Sequence, residues 1–163
     1  MGAIDRPRRD DHLSHIEVRR PVARDPARLA WALHSARNWL GPEVTPAPVG
    51  MRRHDAALRL RVSDSPSLVT FRKAALVDLG AVRPRVDGWE AEVSWRASTL
   101  APLFPVFSGT IAARENELTL SGWYAPPMGS VGRVADRALL HIAAEGTARW
   151  LLAELDRAAN LGG

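Results

Sequence analysis

Asp87-Gly88-Trp89-Glu90-Ala91-Glu92-Val93-Ser94-Trp95-Arg96 is the stretch on which the fold turns. Asp-Gly between two alternating runs is the strongest short-range sign of a β-hairpin, because tight hairpin turns need a positive φ that these residues tolerate. It pairs Val82 to Val86 with Trp89 to Arg96. Along the second run Trp89, Ala91, Val93 and Trp95 share one face, and Glu90, Glu92, Ser94 and Arg96 the other, so this strand has a buried side and a wet side.

The pattern repeats on both sides of this hairpin. Downstream, Glu115-Asn116 turns Phe104 to Ala113 back onto Leu118 to Tyr124, with Leu118, Leu120, Gly122 and Tyr124 in one parity. Upstream, Leu58, Leu60 and Val62 alternate with Arg59 and Arg61 before a turn at Ser63 to Ser67, and Leu68 to Leu79 reads as one long strand or two short ones. Glu43 to Asp55, with Pro46, Pro48 and Gly50, reads as a loop. His12 to Arg20 alternates as a first strand, with Ile16 and Val18 on its apolar face. Asp25-Pro26 then opens a helix, since an Asp side chain caps free N–H groups and Pro suits the first turn. Leu29, Ala30, Leu33 and Ala36 give that helix its face, with a break near Ser35 and a stop at Gly41-Pro42. Beyond Ala125-Pro126-Pro127-Met128-Gly129, no proline follows Ser130, and Val131 to Ala159 is helical throughout. Its burying residues are Val134, Ala138, Leu139, Ile142, Leu151, Leu152 and Leu155.

Composition narrows the class. The chain has 163 residues, 46% hydrophobic, with a net charge of +4 and no cysteine. That is too apolar and too weakly charged for a disordered chain, and it excludes disulfide scaffolds and thiol chemistry. The bases are scattered among acids rather than set in a stripe, so a nucleic-acid partner is not expected. No run reaches the roughly 20 apolar residues that cross a bilayer, and the N-terminus carries no targeting pattern, so a cytoplasmic protein without stable membrane insertion is expected. Residues 1–12 read as a disordered tail and 13–160 as a single domain, with homodimer formation open.

A strand, a helix, an antiparallel meander and a long terminal helix form the layout of the helix-grip fold. Phe71-Arg72-Lys73-Ala74-Ala75-Leu76-Val77-Asp78-Leu79-Gly80, Trp95-Arg96-Ala97, Leu103-Phe104-Pro105-Val106-Phe107-Ser108-Gly109, Gly122-Trp123-Tyr124-Ala125-Pro126-Pro127-Met128-Gly129 and Asp136-Arg137-Ala138-Leu139-Leu140-His141 resemble bacterial members of the SRPBCC (START-like) superfamily, which includes polyketide cyclases and dehydratases. The resemblance spans Ser14 to about Ala159. It implies an α+β helix-grip fold (START/Bet v 1-like), a curved antiparallel sheet of about six or seven strands around a long C-terminal helix. It also implies a cavity between them for a hydrophobic or amphipathic small molecule, lipid-like or polyketide-like. The superfamily shares no catalytic motif, so it assigns no catalytic residue.

Several residues could carry chemistry. Arg137, His141, Glu145 and Arg149 form one line on the last helix, either a solvated stripe or a source of a polar handle or acid/base pair at His141 and Glu145. Those two alone are too few for a metal site. Lys73, the single lysine, shares parity with Val69, Phe71, Ala75 and Val77; on an apolar face it could meet a carboxylate or form a Schiff base, unless a bulge reverses the parity or the stem snorkels outward. Tyr124, the single tyrosine, could orient a ligand or simply bond a carbonyl. Trp31, Trp39, Trp89, Trp95, Trp123 and Trp150 read as core or as flat walls, and Gly109 and Gly122 as points of sheet curvature. Gly129-Ser130-Val131-Gly132 reads as a helix cap rather than a phosphate loop. The expected ligand-binding set is Trp95, Phe107, Tyr124, His141 and Glu145, and the catalytic candidates are Lys73, Tyr124 and His141, without metal or cofactor. Ligand binding is the leading expectation; a cyclase or dehydratase acting on such a ligand, and a protein-interaction module with a filled interior, are the alternatives.

Overall fold

A computed structural model describes residues 13–23, 25–61, 70–98, 105–125 and 137–161. The expected tail, the turn at Ser63 to Ser67, the Pro126-Pro127 segment and the Gly129 to Gly132 cap lie outside the described residues, as does the start of the last helix before Arg137.

Among the described residues, seven strands make one antiparallel sheet: β1 (Ser14–Pro21), β2 (Met51–Arg61), β3 (Thr70–Gly80), β4 (Arg83–Arg85), β5 (Gly88–Ala97), β6 (Val106–Arg114) and β7 (Glu117–Ala125). The order across it is β1-β7-β6-β5-β3-β2, and β4 extends the β3 side of β5. Leu79 pairs with Val93 and Arg83 with Glu90, so the register slips by one residue between them, the mark of a β-bulge. The alternation in β5 is realised in full: Trp89, Ala91, Val93 and Trp95 are all buried.

The first helix, α1 (Pro26–His34), begins as its sequence dictates, with the Asp25 carboxylate accepting from the Ala27 N–H at 2.9 Å. It breaks at Ser35 into a 3₁₀ turn over Ala36–Asn38. The loop expected over Glu43 to Asp55 is shorter than its composition suggests, because Met51 to Asp55 belong to β2. Polar residues are accommodated there by specific partners. Arg53 forms a bidentate pair with the buried Asp78 at 2.7 and 2.9 Å and donates to Pro46 O, while Arg52 donates to the carbonyls of Leu33 and His34 at the end of α1.

The last helix, α2 (Arg137–Leu161), touches both edge strands, β1 and β2, and α1. One rod meeting both edges requires a sheet curved around it. Burial on α2 follows Leu140, Ala144, Thr147, Ala148, Leu151, Leu152, Leu155 and Ala159, spaced as a helix stripe must be. Ala138 and Ile142, expected inside, face outward; the small residues Ala144 and Ala148 take the buried positions and allow close approach to the sheet. Arg20 Nε and Nη2 hold Asp156 at 3.1 and 2.9 Å, fixing the C-terminal part of α2 beside the end of β1. Of the six tryptophans, Trp31 and Trp123 are 51% and 55% exposed, which corrects their assignment to the core. Trp31 projects from α1, and Trp123 occupies the outward parity of β7, where His15 meets its ring edge-on at 5.0 Å.

Candidate functional site

Strand register places one row of inward side chains across the sheet. His54 pairs with Val77, Val77 with Trp95, Trp95 with Phe107, Phe107 with Tyr124, and Tyr124 with Ser14. Trp95 and Phe107 stack at 4.0 Å with an interplanar angle of 14°. The row beneath explains how Phe107 lies so flat. Gly109 and Gly122 face each other across β6 and β7, and a Cβ on either would come within 2.6–2.7 Å of the tip of the Phe107 ring and collide with a neighbouring backbone carbonyl. Two absent side chains leave the depression in which the ring rests.

Tyr124 joins sheet to helix. Its hydroxyl oxygen lies 3.1 Å from His141 Nδ1, and the phenol donates when that nitrogen is the bare one. The phenol is buried, while His141 remains exposed at the start of the described part of α2. The line of residues around His141 divides: Glu145 accepts from Arg149 Nη2 at 3.0 Å, as a helix-surface pair does, and takes no part in the Tyr124 contact.

Lys73 keeps the inward parity, half-buried, opposite Leu58 and one step from the buried Ala75. The possible parity reversal does not occur, since Ala75, Val77 and Leu79 are all buried. Between β3 and β7 lie β5 and β6, so Lys73 and Tyr124 stand three strand spacings apart, roughly 14 Å across the sheet, and Lys73 lies a further four residues along β3 from the row that contains Tyr124. They flank the concave surface and do not share one reacting centre. Arg61, Thr70, Ala97, Val106 and Ala125 lie at this same end of the sheet, whereas α1 and the β6–β7 turn lie at the other.

Two inward atoms lack partners. Among the described residues, the buried side-chain nitrogens or oxygens without a hydrogen bond are His54 Nε2 and Trp95 Nε1. His54 carried no signal in the sequence reading, because it sits where prolines and arginines suggest a loop. Its Nδ1 lies 2.9 Å from Gly41 O. The described residues contain no cluster of three or more His, Cys, Asp or Glu placed to hold a metal ion. No helix among them is long and apolar enough to cross a membrane.

This arrangement, a curved antiparallel sheet around a long terminal helix, is the helix-grip fold. Solved structures with the same fold include the Zhui aromatase/cyclase from Streptomyces sp. R1128, at TM-score 0.51 and 16% identity over 92% of this chain and 93% of that one. The di-domain ARO/CYC StfQ of the steffimycin biosynthetic pathway matches at TM-score 0.57 and 14% identity, over 93% of this chain and 52% of its own length. Ara h 8.0201 matches at TM-score 0.51 and 10% identity, over 93% and 99%. No family model matches the sequence, and no curated protein matches it either.

Proposed function

We propose that this protein binds a hydrophobic or amphipathic small molecule, aromatic or polyketide-like, between the concave sheet and α2. The carrying observation is the row Trp95–Phe107–Tyr124: aromatic side chains on three adjacent strands, ending in a phenol that contacts the helix. Apolar ligands leave water for such surfaces, and a few polar groups then orient them. α1 occupies the end of the sheet opposite Lys73 and Tyr124. Helix-grip neighbours named as aromatase/cyclases support the ligand class.

A second reading follows from Tyr124 and His141. A phenol hydrogen-bonded to an imidazole can relay a proton, so a bound ligand with an acidic C–H or a hydroxyl leaving group could undergo cyclase- or dehydratase-type chemistry there. Lys73, too far along the sheet to join that pair, would serve a ligand's carboxylate or carbonyl instead.

Native mass spectrometry of protein purified from its own host is expected to show a retained organic molecule. A matched ligand at about 100 times its Kd is expected to raise stability by about 2.7 kcal/mol. Repeated absence of any retained compound, with no thermal shift across aromatic and lipid libraries, would favour the interaction-module reading instead. For the enzymatic reading, Tyr124→Phe and His141→Ala are expected to lower turnover with the fold intact; unchanged turnover removes the residue from the mechanism.

A further inference from the structure

The two edges of the sheet differ. Along β2 the segment after α1 lies against the strand: Asp55 N–H donates to Pro42 O at 3.0 Å, Val44 N–H donates to Arg53 O at 2.8 Å, and Glu43 forms a β-bridge with His54. Among the described residues, β1 has β7 on one side and no strand on the other. Val22 N–H donates to Asn116 O at 2.9 Å, one step beyond the Pro21–Glu117 pair, and an antiparallel ladder bonds alternate residues. The even-numbered residues of β1 therefore bond to β7, and the main-chain N–H and C=O groups of His15, Glu17 and Arg19 point to the open edge. Such an edge is a template for another strand unless a bulge, an interior proline or repelling charges blunt it. β1 keeps an unbroken register over its eight residues, with its proline only at the end.

The outward side chains at this edge are His15, Glu17 and Arg19, all exposed, and their charges are self-complementary. Turned antiparallel against a second copy about a two-fold axis at Val18, the strand sets Glu17 opposite the partner's Arg19 and Arg19 opposite the partner's Glu17. An axis at Glu17 or at Arg19 would instead set like charges face to face. In the Val18 register, the residues whose main-chain groups face the edge are the ones that exchange hydrogen bonds, and His15 N–H meets the C=O of the partner's Pro21. Within one chain Arg19 Nε already donates to Glu17 at 2.7 Å, so the four side chains form one alternating cluster. The inward charge, Arg20, is held by Asp156 of its own chain. We infer that β1 is a self-association edge, through which two copies of this chain join their sheets into one. This is independent of what the interior binds.

Sedimentation velocity of the full chain between about 5 and 500 μM is expected to show reversible monomer–dimer exchange, since a single strand pairing is a small and weak interface. Glu17→Arg alone and Arg19→Glu alone each place two like-charged pairs across the axis and are expected to weaken the dimer by about tenfold or more. An equal mixture of the two variants is expected to form a heterodimer as tight as the unmodified dimer, because every cross-strand pair is again opposite in charge; the double variant is expected to regain the homodimer. In the unmodified protein, exchange of the Glu17 and Arg19 amides is expected to slow as concentration rises, while the Ile16 and Val18 amides, bonded to β7, stay as they are. That readout keeps the test valid should a variant fail to fold. A chain monomeric throughout this range overturns the inference and leaves the edge to water or to a strand of a different protein. Dimers indifferent to the single charge reversals, or a mixture no tighter than either variant alone, overturn it as well.

Discussion

Trp89 and Trp95 lie on the same strand, face the same way and are equally buried, yet their indole N–H groups meet opposite fates. Trp89 Nε1 donates to Pro26 O at 2.7 Å, tying β5 to the start of α1, while Trp95 Nε1 has no partner. The same contrast holds for their surroundings. Around Trp89, the end of the sheet is closed by α1, by Trp39 donating to Ala32 O and by Arg52 on the last carbonyls of α1. Around Trp95, aromatic rings stack over two glycines, and a hydrogen bond from Tyr124 to His141 joins the sheet to α2. One end of the concave surface is built for stability, and the other holds polar capacity in reserve.

Four perturbations test that contrast. The largest effect is expected from Gly122→Ala, whose new Cβ would lie 2.4 Å from Ser108 O and 2.6 Å from the Phe107 ring; overpacking of this kind should cost about 3 kcal/mol in urea unfolding and lift Phe107 from its seat. Near-normal stability would mean that the depression beneath Phe107 is not required. Next, Trp89→Phe should cost about 2 kcal/mol more than Trp95→Phe, because only the first strands a carbonyl that had a partner. Equal losses would erase the distinction between the two ends. Tyr124→Phe should cost about 1 kcal/mol, the scale of one hydrogen bond to a partly exposed partner.

The smallest effect concerns the outer face. A hydrogen bond from Arg85 holds the Glu90 carboxyl below its ordinary range. The group therefore contributes stability above its unfolded pKa, and that contribution is lost as pH falls through the lower, folded value. Because Glu90 sits half-buried on the outer, solvent-facing side of β5, where screening weakens its ion pair, Glu90→Gln should flatten the acid limb of a stability–pH curve only slightly and leave ligand affinity unchanged. A large change at either would mean that the outer face takes part in the site.

Much of the fold was legible in the sequence because period-two alternation directly encodes which side of a sheet is buried. β5, the Glu115-Asn116 turn, the Asp25 cap and the break at Ser35 all follow from local chemistry. The start of β2 was not legible, since Arg53 and His54 become strand residues only through Asp78, Pro46 and Gly41, partners distant in sequence or hidden in a loop. The α2 stripe was partly misassigned because burial there selects small residues, Ala144 and Ala148, over the larger Ile142. At the site, the parity of Trp95 with Trp89 and of Tyr124 with Leu118 and Leu120 was legible, but the unpaired state of Trp95 and His54 was not. Lack of a partner belongs to the assembled structure, and no periodicity reports it.

The six indole N–H resonances offer the most direct measurement of where a ligand sits, since Trp31 and Trp123 report the exterior, Trp39 and Trp89 the closed end, Trp150 the last helix and Trp95 the aromatic row. Titrating an aromatic ligand into ¹⁵N-labelled protein should move Trp95 furthest and leave Trp31, Trp39, Trp89 and Trp123 nearly in place. Movement confined to Trp31 or Trp123, with Trp95 unchanged at saturation, would place the ligand outside the grip and contradict this account.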